Sequence, residues 1–157
     1  MKALLKNDHL SILQAATTSL WLGNSSLLHG PDMMRLTGAR PAEDQFHLHL
    51  YVPEKYTFRF LENIRENKKV SHLFSCVYTF KTFQVKGLYV AHRHCTPDEN
   101  SYQHTYLEEF GKTAVNIGIN SGMSFINYWE DPAICFIIRP QEIFEQTPKP
   151  GAGNKIS

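Results

Sequence analysis

Basic side chains stand at several positions where they could bind an anion. Arg35 and Arg40 lie at the two ends of one motif, Arg59 falls at the start of a predicted helix, and Lys81 and Lys86 bracket part of a predicted strand. Guanidinium groups and the first turn of a helix both favour phosphate. Taken singly, each charge is more simply explained as a solvated surface group, and spacing alone does not show that the charges converge.

Histidines form two pairs with alternating spacing. His92 and His94 precede Cys95, and in a strand the two imidazoles project to one side, so that they and the thiolate could bind zinc. His47 and His49 repeat the spacing. The sequence shows no second pair of ligands at zinc spacing, so polar strand faces are the favoured explanation of both pairs, and we expect no metal ion.

Composition excludes several classes of function. The 157 residues carry 16 basic and 15 acidic side chains, a net charge of +1 that gives no reason to expect a nucleic acid or a membrane as partner. The motifs GxGxxG, GxxxxGK[ST], GxSxG and HExxH do not occur. Three widely spaced cysteines, Cys76, Cys95 and Cys135, and an N-terminus without a signal peptide favour a cytoplasmic location.

Hydrophobic periodicity predicts six strands and three helices in one domain, residues 1–157. The strands are expected at Thr18–Asn24, Met33–Arg40, Gln45–Val52, Val70–Tyr78, Thr82–His92 and Ala133–Ile138. The helices are expected at Leu4–Ala16 within an N-terminal segment 1–16, at Thr57–Lys68 and at Pro97–Ile117, followed by an extended tail over 146–157. Because the strands cluster as hairpins, they predict an antiparallel sheet or small barrel with peripheral helices.

The apolar positions of these elements also predict a core. The second helix is expected to turn Phe58, Leu61 and Ile64 inward. The residues expected to be mostly buried are Phe46, Leu48, Leu50, Leu61, Ile64, Leu73, Val85, Ile134 and Phe136. Ten Phe, seven Tyr and two Trp exceed what one small core needs, which favours a symmetric homodimer.

Two stretches resemble a known family. Phe60–Gly87, FLENIRENKKVSHLFSCVYTFKTFQVKG, resembles the helix-strand-strand core of pyridoxamine 5'-phosphate oxidase-related proteins, the FMN-binding split barrels. Ile143–Gly153, IFEQTPKPGAG, is similar to the ending of one small branch of that family. The resemblance implies a mainly β fold, a six-stranded antiparallel Greek-key split barrel with accessory helices, and homodimers that hold flavin at the subunit boundary.

The resemblance also implies residues for the cofactor phosphate. Arg35 and Arg40 keep the spacing of the family's second-strand motif, and Tyr51 loosely matches an aromatic residue near the end of its third strand. Arg59 matches the first member of a basic pair at the start of the next helix. Phe60 stands where the family has the second basic residue, which weakens the implied phosphate site.

Further positions are implied for the flavin ring. Gln84 resembles a glutamine on the fifth strand that contacts flavin. Lys81 and Thr82 stand where the family has an Arg-Thr pair, and these two residues are expected to converge on the FMN phosphate together with Arg35 and Arg59. The backbone near Leu36 and Thr37 is expected to meet the ring. The implied cofactor is FMN and the implied function is a flavoprotein, an oxidoreductase with an unknown small substrate and unknown catalytic residues.

The chain also departs from the family. The oxidases proper end in a motif rich in Arg and His that holds the substrate phosphate, whereas this sequence ends in GAGNKIS. Oxidation of pyridoxamine phosphate itself is therefore not expected. Two alternatives stay open: a non-catalytic split-barrel module with a ligand such as haem, bound by His92 or His94, and a dimeric scaffold without cofactor.

Overall fold

One antiparallel sheet dominates the computed structural model, which describes residues 4–156. Its strands are β1 (Thr18–Ser26), β2 (Gly30–Arg35), β3 (Gly38–Pro41), β4 (Leu48–Pro53), β5 (Lys69–Cys76), β6 (Thr82–His94) and β7 (Ala133–Glu145). They are hydrogen-bonded in the order β2-β1-β5-β6-β7-β4-β3, and every pair is antiparallel. The predicted mainly β, antiparallel fold is confirmed.

Three α-helices lie against the sheet. They are α1 (Asn7–Leu13), α2 (Phe58–Glu66) and α3 (Pro97–Asn116), and two 3-10 segments occupy Glu54–Tyr56 and Gly122–Tyr128. Thr96 and Glu99 form the predicted capping box of α3, because each side chain bonds to the backbone N–H of the other. None of these described helices is long and apolar enough to cross a membrane.

The predicted single strand Met33–Arg40 is wrong, because this segment changes partners halfway along. Leu36 donates its N–H to the carbonyl of Leu20 on β1 (2.9 Å), and Thr37 donates to the carbonyl of Tyr51 on β4 (2.8 Å). The segment is therefore divided into β2 and β3, which form opposite edges of the sheet. It brings those edges together, so the sheet closes into a split barrel with seven strands instead of six.

The interior of the barrel contains most of the predicted core. Buried as expected are Leu48, Leu50, Ile64, Val85, Ile134 and Phe136. The prediction for Phe46 is wrong: it is 38% exposed. The predicted strand Gln45–Val52 begins only at Leu48, since Asp44 accepts the N–H groups of Phe46 and His47 and Gln45 has a φ of 60°, which together make a turn.

Side-chain alternation in β5 contradicts a second core prediction. Val70, His72 and Phe74 point into the barrel, and Leu73 is only half-buried on the opposite face. Successive residues of a strand face opposite sides, so the two apolar residues that flank His72 at i−2 and i+2 place it inside and Leu73 outside.

Helix α2 closes one end of the barrel with a different face from the one predicted. Phe60, Asn63 and Ile64 are buried, Leu61 is half-buried, and Phe58 is 72% exposed. Asn63 fixes this orientation, because its amide bonds to the β1–β2 hairpin, including the carbonyl of Gly30 (3.1 Å).

The C-terminal part differs from expectation in length and order. Strand β7 has 13 residues and extends beyond the predicted Ala133–Ile138 as far as Glu145. The following residues turn back, and Ile156 donates its N–H to the carbonyl of Ile143 (2.9 Å). The expected extended tail is therefore a turn that returns to the edge of β7.

Candidate functional site

The outer face of the sheet, opposite the barrel interior, contains a groove with a volume of about 750 Å³. Strand register places Trp21, Leu73 and Gln84 side by side on β1, β5 and β6. Trp21 and Leu73 are half-buried, and Met33 at the groove edge is 65% exposed. The groove thus has an apolar wall next to a primary amide.

Small residues form the floor of this groove. Gly23 and Ser71 are cross-strand partners, and Ser71 is in turn paired with Lys86. The amide of Gln84 donates to the Ser71 hydroxyl (2.8 Å), and its oxygen accepts from the amide of Gln146 (3.0 Å). A flat ring could therefore lie against Gly23 with an oriented amide beside it.

Arg35 lies behind the groove wall and does not line the groove. Its guanidinium carbon lies 5.2, 4.8 and 4.5 Å from the ring centroids of Trp21, Phe110 and Phe125, the last two from α3 and the 3-10 segment that follows it. Its buried Nε has no hydrogen-bond partner among the described residues. Burial lowers the pKa of Arg35. Leu36 and Thr37, next in sequence, are fully buried.

Arg59 is exposed near one end of the groove. Its Nη1 lies 3.5 Å from the carbonyl oxygen of His29, in the turn between β1 and β2, and the adjoining Ser25 and Pro31 line the groove. Phe60 beside it is 0% exposed and packs on Phe136.

Lys81 and Thr82 lie at the opposite end of the sheet, at the turn between β5 and β6. Lys81 is exposed with its Nζ 5.8 Å from the Phe83 ring. The Thr82 hydroxyl lies 2.6 Å from that of Ser75 and 2.8 Å from the Phe80 carbonyl. Within one chain, the predicted phosphate ligands are therefore not brought together.

Arg40 and Tyr51 belong to a separate polar cleft of about 560 Å³ beside the start of α3. The Arg40 Nε donates to the Tyr51 hydroxyl (3.1 Å), which donates to Glu99 (3.3 Å). Arg93 binds Glu99 through two hydrogen bonds of 2.7 and 2.9 Å. Burial alone would raise the pKa of Glu99, but Arg93 and the N–H of Thr96 outweigh it and lower the pKa to about 2.

Three metal-ligand types come together at the inner side of this cleft, where Cys135 is buried behind the lining residues His49 and Glu99. Donor atoms of His49, Glu99 and Cys135 all lie within 4.8 Å of one another. Both Glu99 oxygens already accept hydrogen bonds from Arg93, so an added cation would have to displace a guanidinium. Burial raises the pKa of the Cys135 thiol to about 12, which keeps it protonated. The Glu99 carboxylate is thus already satisfied by the Arg93 guanidinium and the N–H of Thr96.

The histidines singled out by spacing have separate partners. His92 Nδ1 lies 2.7 Å from the Tyr89 hydroxyl, and His94 Nε2 lies 3.6 Å from Glu54.

The sequence did not predict the groove wall formed by Trp21 and Leu73. The sequence signal for Leu73 was its position in β5. It lies between His72 and Phe74, which face the barrel interior, so its own side chain must face outward.

Comparison with known proteins yields structural similarity only. No family model and no curated protein matches the sequence. An F420 reductase superposes with a TM-score of 0.54 at 12% identity, covering 88% of this chain and 98% of its own. HupZ of group A Streptococcus gives 0.55 at 14% identity, with 96% of this chain and 99% of its own covered.

A candidate pyridoxamine 5'-phosphate oxidase from Lactobacillus delbrueckii gives a TM-score of 0.54 at 13% identity, over 89% of this chain and 93% of its own. Identities this low establish the fold alone. The superposition nevertheless extends over most of this chain and over nearly the full length of each neighbour. The chain therefore has the FMN-binding split-barrel fold of the pyridoxamine 5'-phosphate oxidase-related proteins.

Proposed function

We propose that this chain binds FMN as a homodimer and serves as a cytoplasmic oxidoreductase for a small substrate. One observation carries the proposal. Gln84, the residue matched to a flavin contact by sequence, lines the outer-face groove of about 750 Å³ beside Trp21 and Leu73. An apolar wall with one oriented amide suits a flavin ring, since the ring is flat and largely apolar with polar edges.

The chain's own residues would position the ring. Gly23 presents no side chain at the floor, and a Cβ there would crowd the Asp32 carbonyl oxygen at 3.2 Å. Gln84 is held by Ser71 on one side and Gln146 on the other, so its amide is fixed in direction. Flavin itself supplies the hydride and electron transfer when bound.

Arg59 is the proposed ligand of the phosphate. It is exposed, it lies at the start of α2, and it contacts the turn that adjoins the groove. A buried Phe60 stands where the family has the second basic residue of the pair. Arg59 would therefore bind the phosphate without a second cation beside it on α2. We accordingly propose a modest affinity and a partly empty purified protein. Lys81 and Thr82, at the far end of the sheet, would reach a phosphate only from a second chain.

A second candidate is a dimeric scaffold that binds no cofactor. The burial of Phe60 favours it, because the side chain has become part of the core and no longer faces a ligand.

Absorbance spectroscopy and FMN titration of the purified protein distinguish these functions. Flavin bands that remain after desalting, or saturable FMN binding, support the proposal, and reduction of the bound flavin by a nicotinamide nucleotide supports the oxidoreductase. A Soret band would instead indicate a haem-binding module. Absence of any visible band together with absence of FMN binding would leave the scaffold. A Gln84→Leu variant should lose affinity for FMN and for riboflavin by the same factor, because the amide faces the ring and not the phosphate.

A further inference from the structure

The turn that joins β1 to β2 displays two leucines to solvent. Leu27 is 99% exposed and Leu28 is 79% exposed. Such a concentration of apolar side chains at one point of a surface is typical of a contact with another molecule. We refer to residues 27–28 as the leucine tip.

The leucine tip has a fixed conformation. The Glu66 carboxylate accepts hydrogen bonds from the N–H groups of Leu27 (2.7 Å) and Leu28 (3.3 Å). The Ser26 hydroxyl accepts from the N–H of His29 (2.9 Å) and donates to Asn63 (2.8 Å). A turn held in this way loses little conformational entropy when it docks, which favours binding.

An apolar recess lies next to this protrusion. Ser25 and Pro31, which flank the tip on the two strands, line the outer-face groove, whose apolar wall includes Trp21, Met33 and Leu73. A protrusion and a recess side by side on one face are what a two-fold interface needs, because each copy must offer both to the other.

We propose that in a homodimer the leucine tip of each chain lies across the mouth of the groove of the other chain. The groove of a single chain is open to solvent along its outer side, and the tip of the second copy would supply an apolar cover. The role of this cover in flavin binding rests on the proposed function, whereas the contact between chains stands without flavin. A ring held between groove and tip would be shielded from water, which strengthens its hydrogen bond with Gln84.

The test compares Leu27→Asp/Leu28→Asp with a matched variant, Phe80→Asp. Phe80 is 64% exposed in the turn at the opposite end of the sheet, and its φ of 57° is one that Asp tolerates. All sites are at the surface, so both variants should fold. Circular dichroism verifies this. Sedimentation velocity over a range of concentrations then measures the dimer dissociation constant of each protein without added ligand.

The expected result is an increase in the dimer dissociation constant of at least about 100-fold for the double variant, because each leucine is buried twice in a two-fold dimer. Phe80→Asp should behave as wild type. The double variant should also lose affinity for FMN and for riboflavin by the same factor, since the tip covers the ring and not the phosphate.

Two results would overturn the proposal: a wild-type protein that is monomeric throughout, or a double variant that dimerises as tightly as wild type. The flavin measurement separates these failures. If wild type binds FMN and the double variant dimerises as tightly as wild type, the tip contact is refuted and the proposed function is retained. If dimerisation depends on the leucine tip but wild type does not bind FMN, the tip contact is retained and the proposed function is refuted.

Discussion

The Nδ1 atom of His72 lies 2.8 Å from the carbonyl oxygen of Trp21. A carbonyl oxygen only accepts hydrogen bonds, so Nδ1 carries the imidazole proton, and Nε2 is left without a partner among the described residues. His72 is 0% exposed between Leu22 and Val85 of the neighbouring strands. A neutral imidazole therefore occupies the barrel interior, directly behind the strand whose Trp21 forms the wall of the groove.

His72 should make stability depend on pH in the mildly acidic range. Burial lowers its pKa from 6.5 to about 4. The folded pKa is depressed, so the stabilisation is complete above pH 6.5 and is lost as the pH falls toward 4, a loss of roughly 3 kcal/mol. Urea unfolding of wild type and His72→Phe at pH 7, 5.5 and 4.5 should show a steeper decline for wild type. His94→Gln, at an exposed imidazole, serves as control and should match wild type.

Glu99 should produce a second decline at lower pH. Its pKa falls from 4.5 to about 2 because the hydrogen bonds from Arg93 and Thr96 outweigh the effect of burial. Its contribution is therefore present above pH 4.5 and is lost as the pH falls toward 2, again roughly 3 kcal/mol. In Glu99→Gln the dependence of unfolding free energy on pH below 4.5 should flatten, whereas Glu108→Gln, on the exposed side of α3, should retain it. Equal slopes in all three proteins would contradict the assignment.

Arg59→Ala should weaken FMN binding and spare riboflavin. A hydrogen bond to a charged group contributes about 1.5–3 kcal/mol, which corresponds to a loss of about 10- to 150-fold in FMN affinity. Arg65→Ala, in the last turn of the same helix, removes an exposed charge at the other end and should change neither affinity. Fluorescence titrations with both ligands provide the measurement. A similar loss for riboflavin would mean that Arg59 does not bind the phosphate.

Phe60→Lys should destabilise the protein without improving FMN binding. The basic residue that the sequence resemblance implies at this position cannot be accommodated, because Phe60 is 0% exposed with its ring centroid 5.0 Å from that of Phe136. Loss of a buried phenylalanine costs about 3–5 kcal/mol, and an unpaired buried ammonium adds to this. Phe58→Lys, two residues earlier and 72% exposed, is the matched control and should melt like wild type. A thermally stable Phe60→Lys protein with tighter FMN binding would refute this view of the helix.

Local patterns were sufficient to predict most of the fold. Alternation and turn residues located the strands, and the Thr96 and Glu99 pair located the start of α3. They failed where backbone contacts between distant segments decide the outcome. The change of partner at Leu36 and Thr37 depends on carbonyls 16 and 14 residues away, at Leu20 and Tyr51, and no local pattern encodes it.

The candidate site was harder to predict for the same reason. Gln84 was identified through resemblance, but its neighbours Trp21 and Leu73 are adjacent only through the register of three strands. Arg35 was predicted to bind an anion, yet Phe110 and Phe125 lie within 5 Å of its guanidinium, and their approach depends on how α3 packs. Spacing in a sequence predicts which side chains share a face, and packing decides which of them remain open to a ligand.

The exchange of partners at Leu36 and Thr37 also bears on how the molecule can open. An open sheet can lose an edge strand and keep the rest, but here a single backbone segment supplies both edges. Thr37 is tied further by its hydroxyl, which lies 2.6 Å from Gln103 on α3. Releasing this segment would separate the two edges and wet the interior around Leu22 and Leu50. Local fraying there should cost nearly as much as global unfolding, so the amide hydrogens of Leu36 and Thr37 belong among the slowest to exchange with solvent.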